Sequence, residues 1–252
     1  FFDDWTLGVV KNDTHIVDVS EVLQGVHAHG PQELITLIIQ NWDQVKDAFQ
    51  NLANVSEGKP LSEVRIRPPI PRPDKIVCMA VNYLEYGQRP MPHIDAFLKD
   101  SDCVIGDGDT IVLDAEAPAS IFHHEAELAV IIGKEAEDKV DAKDAMDYVF
   151  GYTGFIDVSG RNIGPEGRTS FFQTKSWRTF GPMGPFIITK DEIDDPQDID
   201  LAITVNDSGR QAFNTSDMAH PITECIEFAT RQFPLHPGDI ISTGTNHQGL
   251  GA

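Results

Sequence analysis

The stretch Phe122-His123-His124-Glu125-Ala126-Glu127-Leu128-Ala129-Val130-Ile131-Ile132-Gly133-Lys134 decides how this chain is read. Its second half is an apolar run of strand length, far short of the roughly 18 residues that cross a membrane. Side chains two apart in a strand share a face, so Glu125 and Glu127 project together. Adjacent carboxylates repel unless a cation sits between them. A hard divalent ion does this well, because Mg²⁺ and Ca²⁺ take oxygen ligands. For an isolated Glu-x-Glu pair the commoner alternative is two solvated glutamates on an outer face.

Further along, Gly151-Tyr152-Thr153-Gly154-Phe155-Ile156-Asp157-Val158-Ser159-Gly160-Arg161 sets Asp157 in an otherwise apolar strand. A charge buried there is costly without a partner or a metal. Then follow Lys175-Ser176, Gly181-Pro182-Met183-Gly184-Pro185, Asn214-Thr215-Ser216-Asp217-Met218 and Pro237-Gly238-Asp239-Ile240-Ile241-Ser242-Thr243-Gly244-Thr245.

Taken in order, these segments resemble the fumarylacetoacetate hydrolase family from about Pro69 to Ala252. Each segment is weak alone; their order makes the resemblance specific. It implies an α+β, mainly β fold: a mixed β-sandwich or β-roll catalytic domain at 69–252 behind a small N-terminal α+β unit at 1–68. In the family further strands follow the point where this sequence stops. The resemblance matches Glu125, Glu127 and Asp157 to metal-binding carboxylates. It matches Lys175 to a lysine near the metal and its waters, and Arg161 to a residue near the charged end of the substrate. Thr243, Gly244 and Thr245 match a strand-end loop that meets a substrate carboxylate. The implied ion is Mg²⁺ or Mn²⁺, with Ca²⁺ able to substitute in crystals. The implied assembly is a homodimer.

The departure from the family lies in Asn82-Tyr83-Leu84-Glu85-Tyr86-Gly87-Gln88-Arg89. Hydrolytic members carry a histidine where Tyr86 stands, and a glutamate where Arg89 stands. An unperturbed tyrosine titrates near about 10 and is a poor base at neutral pH. Glu85, His93 and His124 are the candidate replacement bases, and Tyr86 is left to contact substrate. A plain loop role for His93 and a supporting role for His124 are the alternatives. Residues 82–99 are expected to form a lid, with weak hydrolysis and relatively stronger tautomerisation.

A divalent ion held by three carboxylates can chelate a 1,3-diketone or 2-oxo acid, polarise its carbonyl and stabilise an enolate. The leading reading is hydrolysis of a C–C bond in an acylpyruvate-like or 1,3-diketo acid. The second is tautomerisation, isomerisation or decarboxylation of a 2-oxo acid at the same ion. A third is a metal-binding homologue without catalysis.

Composition narrows the partners. The 252 residues are 40% hydrophobic and 23% charged, with a net charge of -21. Such a surface repels nucleic-acid phosphates and anionic lipid, which excludes both as partners. A small anionic oxo acid then needs a local positive centre, which the ion, Arg161 and Lys175 supply. Cys78, Cys103 and Cys225 are far apart and form no Cys-x-x-Cys pair, so they read as core residues of a cytosolic protein. No basic segment followed by an apolar one opens the chain, so no signal peptide is read there.

The pattern predicts a hairpin over 6–19 turning at Asn12-Asp13, then one helical stripe from Pro31 through Leu52. Pro60 to Pro73 is proline-rich and marks the boundary between the units. Strands are predicted over 76–81, 110–113, 127–132, 154–158, 186–189 and 201–205, with a turn at Asn206-Asp207-Ser208-Gly209. Helices are predicted over 142–149 and 221–231.

Overall fold

The computed structural model describes residues 1–113, 119–163 and 170–250; the expected domain end at residue 252 lies outside them. At the N-terminus β1 (Gly8–Lys11) and β2 (His15–Asp18) form the expected hairpin. Asn12 and Asp13 turn it at φ 52° and 56°, left-handed values that these short polar side chains tolerate. The predicted single helix is two: α1 (Pro31–Gln40) and α2 (Trp42–Val55). Asn41 interrupts the stripe, its side-chain amide donating to the Leu37 carbonyl at 2.8 Å. β3 (Lys59–Pro60) adds a short third strand beside β2.

The remainder is built on β4 (Ile76–Met79), β5 (Ala96–Lys99), β6 (Val104–Ile105), β7 (Ile121–Ile132) and β8 (Val149–Arg161). These are followed by α3 (Phe171–Lys175), β9 (Gly181–Thr189), the hairpin β10 (Asp200–Val205) and β11 (Ser208–Asn214), α4 (Ile222–Thr230) and β12 (Ile240–Ser242). Seven strands form one mixed sheet in the order β5-β4-β12-β7-β8-β9-β6. This is the α+β, mainly β architecture that the family resemblance implies.

Two further segments differ from expectation. Residues 110–113 are not a strand: Val112 and Leu113 are exposed, and the Val112 N–H bonds the Thr179 hydroxyl. Side chains that favour strands do not make one without a neighbouring edge to pair with. Ala142–Tyr148 winds as a 3-10 helix rather than an α-helix.

The sheet is buried on both faces, and β7 shows how. Leu128, Val130 and Ile132 point to one face, where they pack with α4 residues Ile222, Cys225 and Ile226. Ala129 and Ile131 point to the other, against Ile38, Ile39 and Phe49 from the N-terminal helices. Continuing back along that second face, the alternation reaches Glu127, Glu125 and His123. The site therefore begins where the aliphatic packing of one strand face stops.

Candidate metal centre

β7 and β8 pair antiparallel with Glu125 directly opposite Asp157, so both side chains stand on one face. Glu125, Glu127 and Asp157 are 3%, 3% and 1% exposed. Their carboxylate oxygens lie within 4.8 Å of one another. Metal–oxygen bonds of about 2.0–2.6 Å let a single ion reach all three. The donors are hard oxygens, with no thiolate or imidazole among them, which suits Mg²⁺, Mn²⁺ or Ca²⁺. The cluster thus fits a divalent ion.

Positive groups meet this cluster from separate elements. Lys175, at the end of α3, bonds Glu125 Oε2 at 2.6 Å and Asp157 Oδ2 at 2.5 Å. Lys99, ending β5, bonds Asp157 Oδ1 at 2.6 Å. Arg161 binds Glu125 Oε1 through its guanidinium, and its Nε donates to His123 Nδ1 at 3.0 Å. Glu127 has no ammonium partner among the described residues: Ser242 Oγ donates to its Oε2 at 2.5 Å and the Gly244 N–H at 3.0 Å.

The charges follow from this placement. Burial pushes the Glu127 carboxyl up, the Asp157 charge adds to it, and Lys175 pulls back only part of the way, leaving it at about 8. Burial also disfavours the Asp157 carboxylate, but Lys99 and Lys175 outweigh it and hold the group below its usual value. The Lys175 ammonium is disfavoured by burial, yet the three carboxylates more than restore it and raise its pKa. A cation among these oxygens would relieve the repulsion that Glu127 bears.

Of the substrate-loop residues, Thr243 and Thr245 are buried, and their hydroxyls are engaged. Thr243 Oγ1 donates to the Leu128 carbonyl at 3.0 Å, and Thr245 Oγ1 accepts from Gln211 Nε2 at 3.0 Å. Gly244, at φ +83°, presses against Asn82 and carries the N–H that reaches Glu127. The loop therefore touches the cluster through backbone.

The segment expected as a lid, 82–99, ends in a strand. Its last residues, Ala96–Lys99, are strand β5, paired with β4, because Phe97 and Lys99 are drawn inward. Glu85 is half-buried and bonded by Arg89 at 2.6 Å, whereas Tyr86 is 58% exposed. His93 is exposed and makes no hydrogen bond or ion pair to a described residue. His124 points to the face opposite Glu125; its Nδ1 is buried without a partner among the described residues, and burial lowers its pKa. Sequence reasoning missed Lys99, whose signal was a lysine two residues after Phe97, on the same face of a short strand. It also missed His247, whose Nδ1 lies 3.3 Å from Glu85 Oε1.

A mixed sheet with a buried triple-carboxylate centre on its two central long strands defines the class. The pattern described as fumarylacetoacetate (FAA) hydrolase C-terminal matches residues 75–251, and the chain belongs to this family. It is 33% identical over 261 residues to the maleylpyruvate hydrolase of Aquipseudomonas alcaligenes, covering 97% of this chain and 88% of that one. It is 38% identical over 192 residues to the oxaloacetate tautomerase YisK of Bacillus subtilis (strain 168), covering 73% of this chain and 63% of that protein. Among solved structures it is similar to maleylpyruvate hydrolase from Sphingobium sp. SYK-6 in complex with manganese(II) and pyruvate. That likeness has a TM-score of 0.85 and 35% identity, over 99% of this chain and 88% of the other.

Proposed function

We propose that this chain is a Mg²⁺- or Mn²⁺-dependent hydrolase that cleaves a C–C bond in an acylpyruvate-like or 1,3-diketo acid. The observation that carries it is the convergence of Glu125, Glu127 and Asp157, buried, with Lys175 and Arg161 on the same carboxylates. The manganese- and pyruvate-bound relative supports the reading, since pyruvate is the fragment that cleavage of an acylpyruvate releases.

When bound, the ion would polarise the oxo-acid carbonyl and stabilise enolate charge. The rest falls to the chain. Arg161, 28% exposed at its side chain, faces the cluster and can turn toward a substrate carboxylate, giving a net-acidic protein its local positive centre. Lys175, held protonated, keeps charge and can hand a proton to a developing anion. The backbone of Thr243–Thr245 would border the bound acid, with Tyr86 at its rim.

A second reading is tautomerisation of a 2-oxo acid such as oxaloacetate, favoured by the YisK relative and by Tyr86 in the lid. Incubation of the metal-loaded protein with a panel of acylpyruvates and with oxaloacetate, followed by product analysis, tests both. Pyruvate and a carboxylic acid released from an acylpyruvate is the expected result; oxaloacetate enolisation without any C–C cleavage would replace it with the second reading. Residues 1–68 act as an accessory unit to the catalytic part. Three free, buried thiols fit a reducing compartment such as the cytosol; burial pushes Cys103 and Cys225 up to about 12, so they are no nucleophiles. Among the described residues, no helix is long and apolar enough to cross a membrane.

A further inference from the structure

The lid turn carries no histidine, yet one reaches it from another part of the chain. Asn246-His247-Gln248 directly follow the strand-end loop, and each of the three is tied to the lid. Asn246 Nδ2 donates to Asp217 Oδ2 at 3.1 Å, while Asp217 Oδ1 accepts the Tyr86 N–H at 2.9 Å. Gln248 Nε2 donates to the Glu85 carbonyl at 3.1 Å. Between them, His247 Nδ1 sits against the Glu85 carboxylate at 3.3 Å. Glu85 and Tyr86 both hold φ 54°, a costly conformation for residues with side chains, and these contacts keep the turn in it.

The imidazole is placed to work. Its side chain is 31% exposed, and it sits two residues beyond Thr245, on the loop whose Gly244 N–H reaches Glu127. Burial lowers its pKa, so the ring is neutral near pH 7. In the neutral tautomer that keeps its proton on Nδ1, toward the Glu85 carboxylate, the lone pair lies on Nε2. On the other side of Glu85, burial alone would favour the neutral acid, but Arg89 keeps the carboxylate charged.

We propose that His247 and Glu85 form the water-activating pair of this enzyme, assembled between the strand-end loop and the lid rather than within the lid. This rests on the hydrolase reading above. His247 Nε2 takes a proton from water as the water oxygen bonds to the acyl carbonyl carbon. The C–C bond then breaks, and its electron pair passes into the oxo-acid fragment as an enolate. The proton held on Nε2 goes to that carbon. One water and one acylpyruvate become a carboxylic acid and a 2-oxo acid, and His247 returns to its neutral form. Glu85 is a positioning residue, fixing the tautomer and steadying the imidazolium. Docking of the lid turn and assembly of the base become one event, because the same tripeptide does both. Tyr86 in place of the family's histidine then no longer implies weak hydrolysis.

The test compares His247→Gln, His247→Ala and Glu85→Gln with the unmodified protein. The readouts are acylpyruvate hydrolysis, metal content by elemental analysis and pyruvate affinity by calorimetry. His247→Gln should lower kcat by about 10²–10⁴, the worth of a general base, with metal content and pyruvate affinity unchanged. Added imidazole should restore part of the activity of His247→Ala. Glu85→Gln should lower kcat at unchanged KM. A His247→Gln protein within about threefold of the unmodified rate, far inside the worth of a base, overturns the pair alone. Loss of activity in His247→Ala without imidazole rescue, together with weakened pyruvate binding, makes the residue structural and overturns it too. If the unmodified protein cleaves no acylpyruvate, the hydrolase reading fails first and the pair goes with it.

Discussion

Lys99 Nζ lies 2.6 Å from Asp157 Oδ1, with both side chains sealed from solvent. Lys175 takes the other oxygen of the same carboxylate at 2.5 Å. Asp157 is thus neutralised from two sides by residues that come from β5 and α3, elements far apart in sequence. Breaking one partner of a buried ion pair typically costs about 3–5 kcal/mol, because the other charge is stranded. Lys99→Met should lose a large part of that range in urea unfolding of the metal-free protein. A loss below about 1 kcal/mol, the scale of an exposed pair, would mean that Lys99 does not hold the site together.

Metal binding should depend on Asp157 more than on any lysine. Asp157→Ala leaves Glu125 and Glu127 to hold an ion without the third oxygen, and leaves Lys99 and Lys175 to repel it. Elemental analysis should find the variant free of Mg²⁺ or Mn²⁺ under conditions that load the unmodified protein. Equal metal content in both would place the ion elsewhere.

Strand arithmetic put Glu125 and Glu127 on one face, and the family resemblance joined them to Asp157 as metal carboxylates. Glu125 and Glu127 are two apart on β7, and Asp157 is a lone charge in an apolar strand. The register then sets Glu125 opposite Asp157. What was not legible depends on tertiary approach. Lys99 looks like the polar end of a short strand until β5 pairs with β4 and turns it inward. His247 looks like a loop histidine until the lid turn folds back onto Glu85. The fold shows the same division. The alternation of β7 was plain, whereas glycines and prolines in Gly181–Pro185 masked the first half of β9, and Asn41 split a helix whose apolar stripe runs on unbroken.

Arg161 is expected to matter for substrate rather than for the ion. Its guanidinium is the partly exposed cation of the cluster, set against Glu125 and His123. Arg161→Lys keeps the charge but loses the planar fork that grips a carboxylate. Steady-state kinetics should show a raised KM for the anionic substrate with metal content intact. An unchanged KM would remove Arg161 from the substrate contact.

Assembly gives a separate test. Phe97 and Phe171 stack with ring centres 4.6 Å apart, joining β5 to α3, while Leu98 and Phe172 on the same two elements are 54% and 73% exposed. A second copy of the chain would cover such exposed apolar side chains. A homodimer should appear in light scattering, and Phe172→Glu should weaken it. A monomer at micromolar concentration would contradict the expectation.

Lys175 should separate catalysis from metal binding. Its ammonium bridges Glu125 and Asp157, so it shares the oxygens that an ion would use. A unit charge about 4 Å from another interacts by roughly 4 kcal/mol at an effective dielectric constant near 20, so its removal favours a cation. Lys175→Met should therefore bind Mg²⁺ or Mn²⁺ at least as tightly as the unmodified protein, in competition with a chelator. Turnover should still fall, because the group that holds charge and proton beside the reacting oxo acid is gone. A loss of roughly 10²–10⁴ in kcat is the scale for a proton-transferring group. If metal affinity and activity vanish together, Lys175 is only a strut that keeps the carboxylates in place.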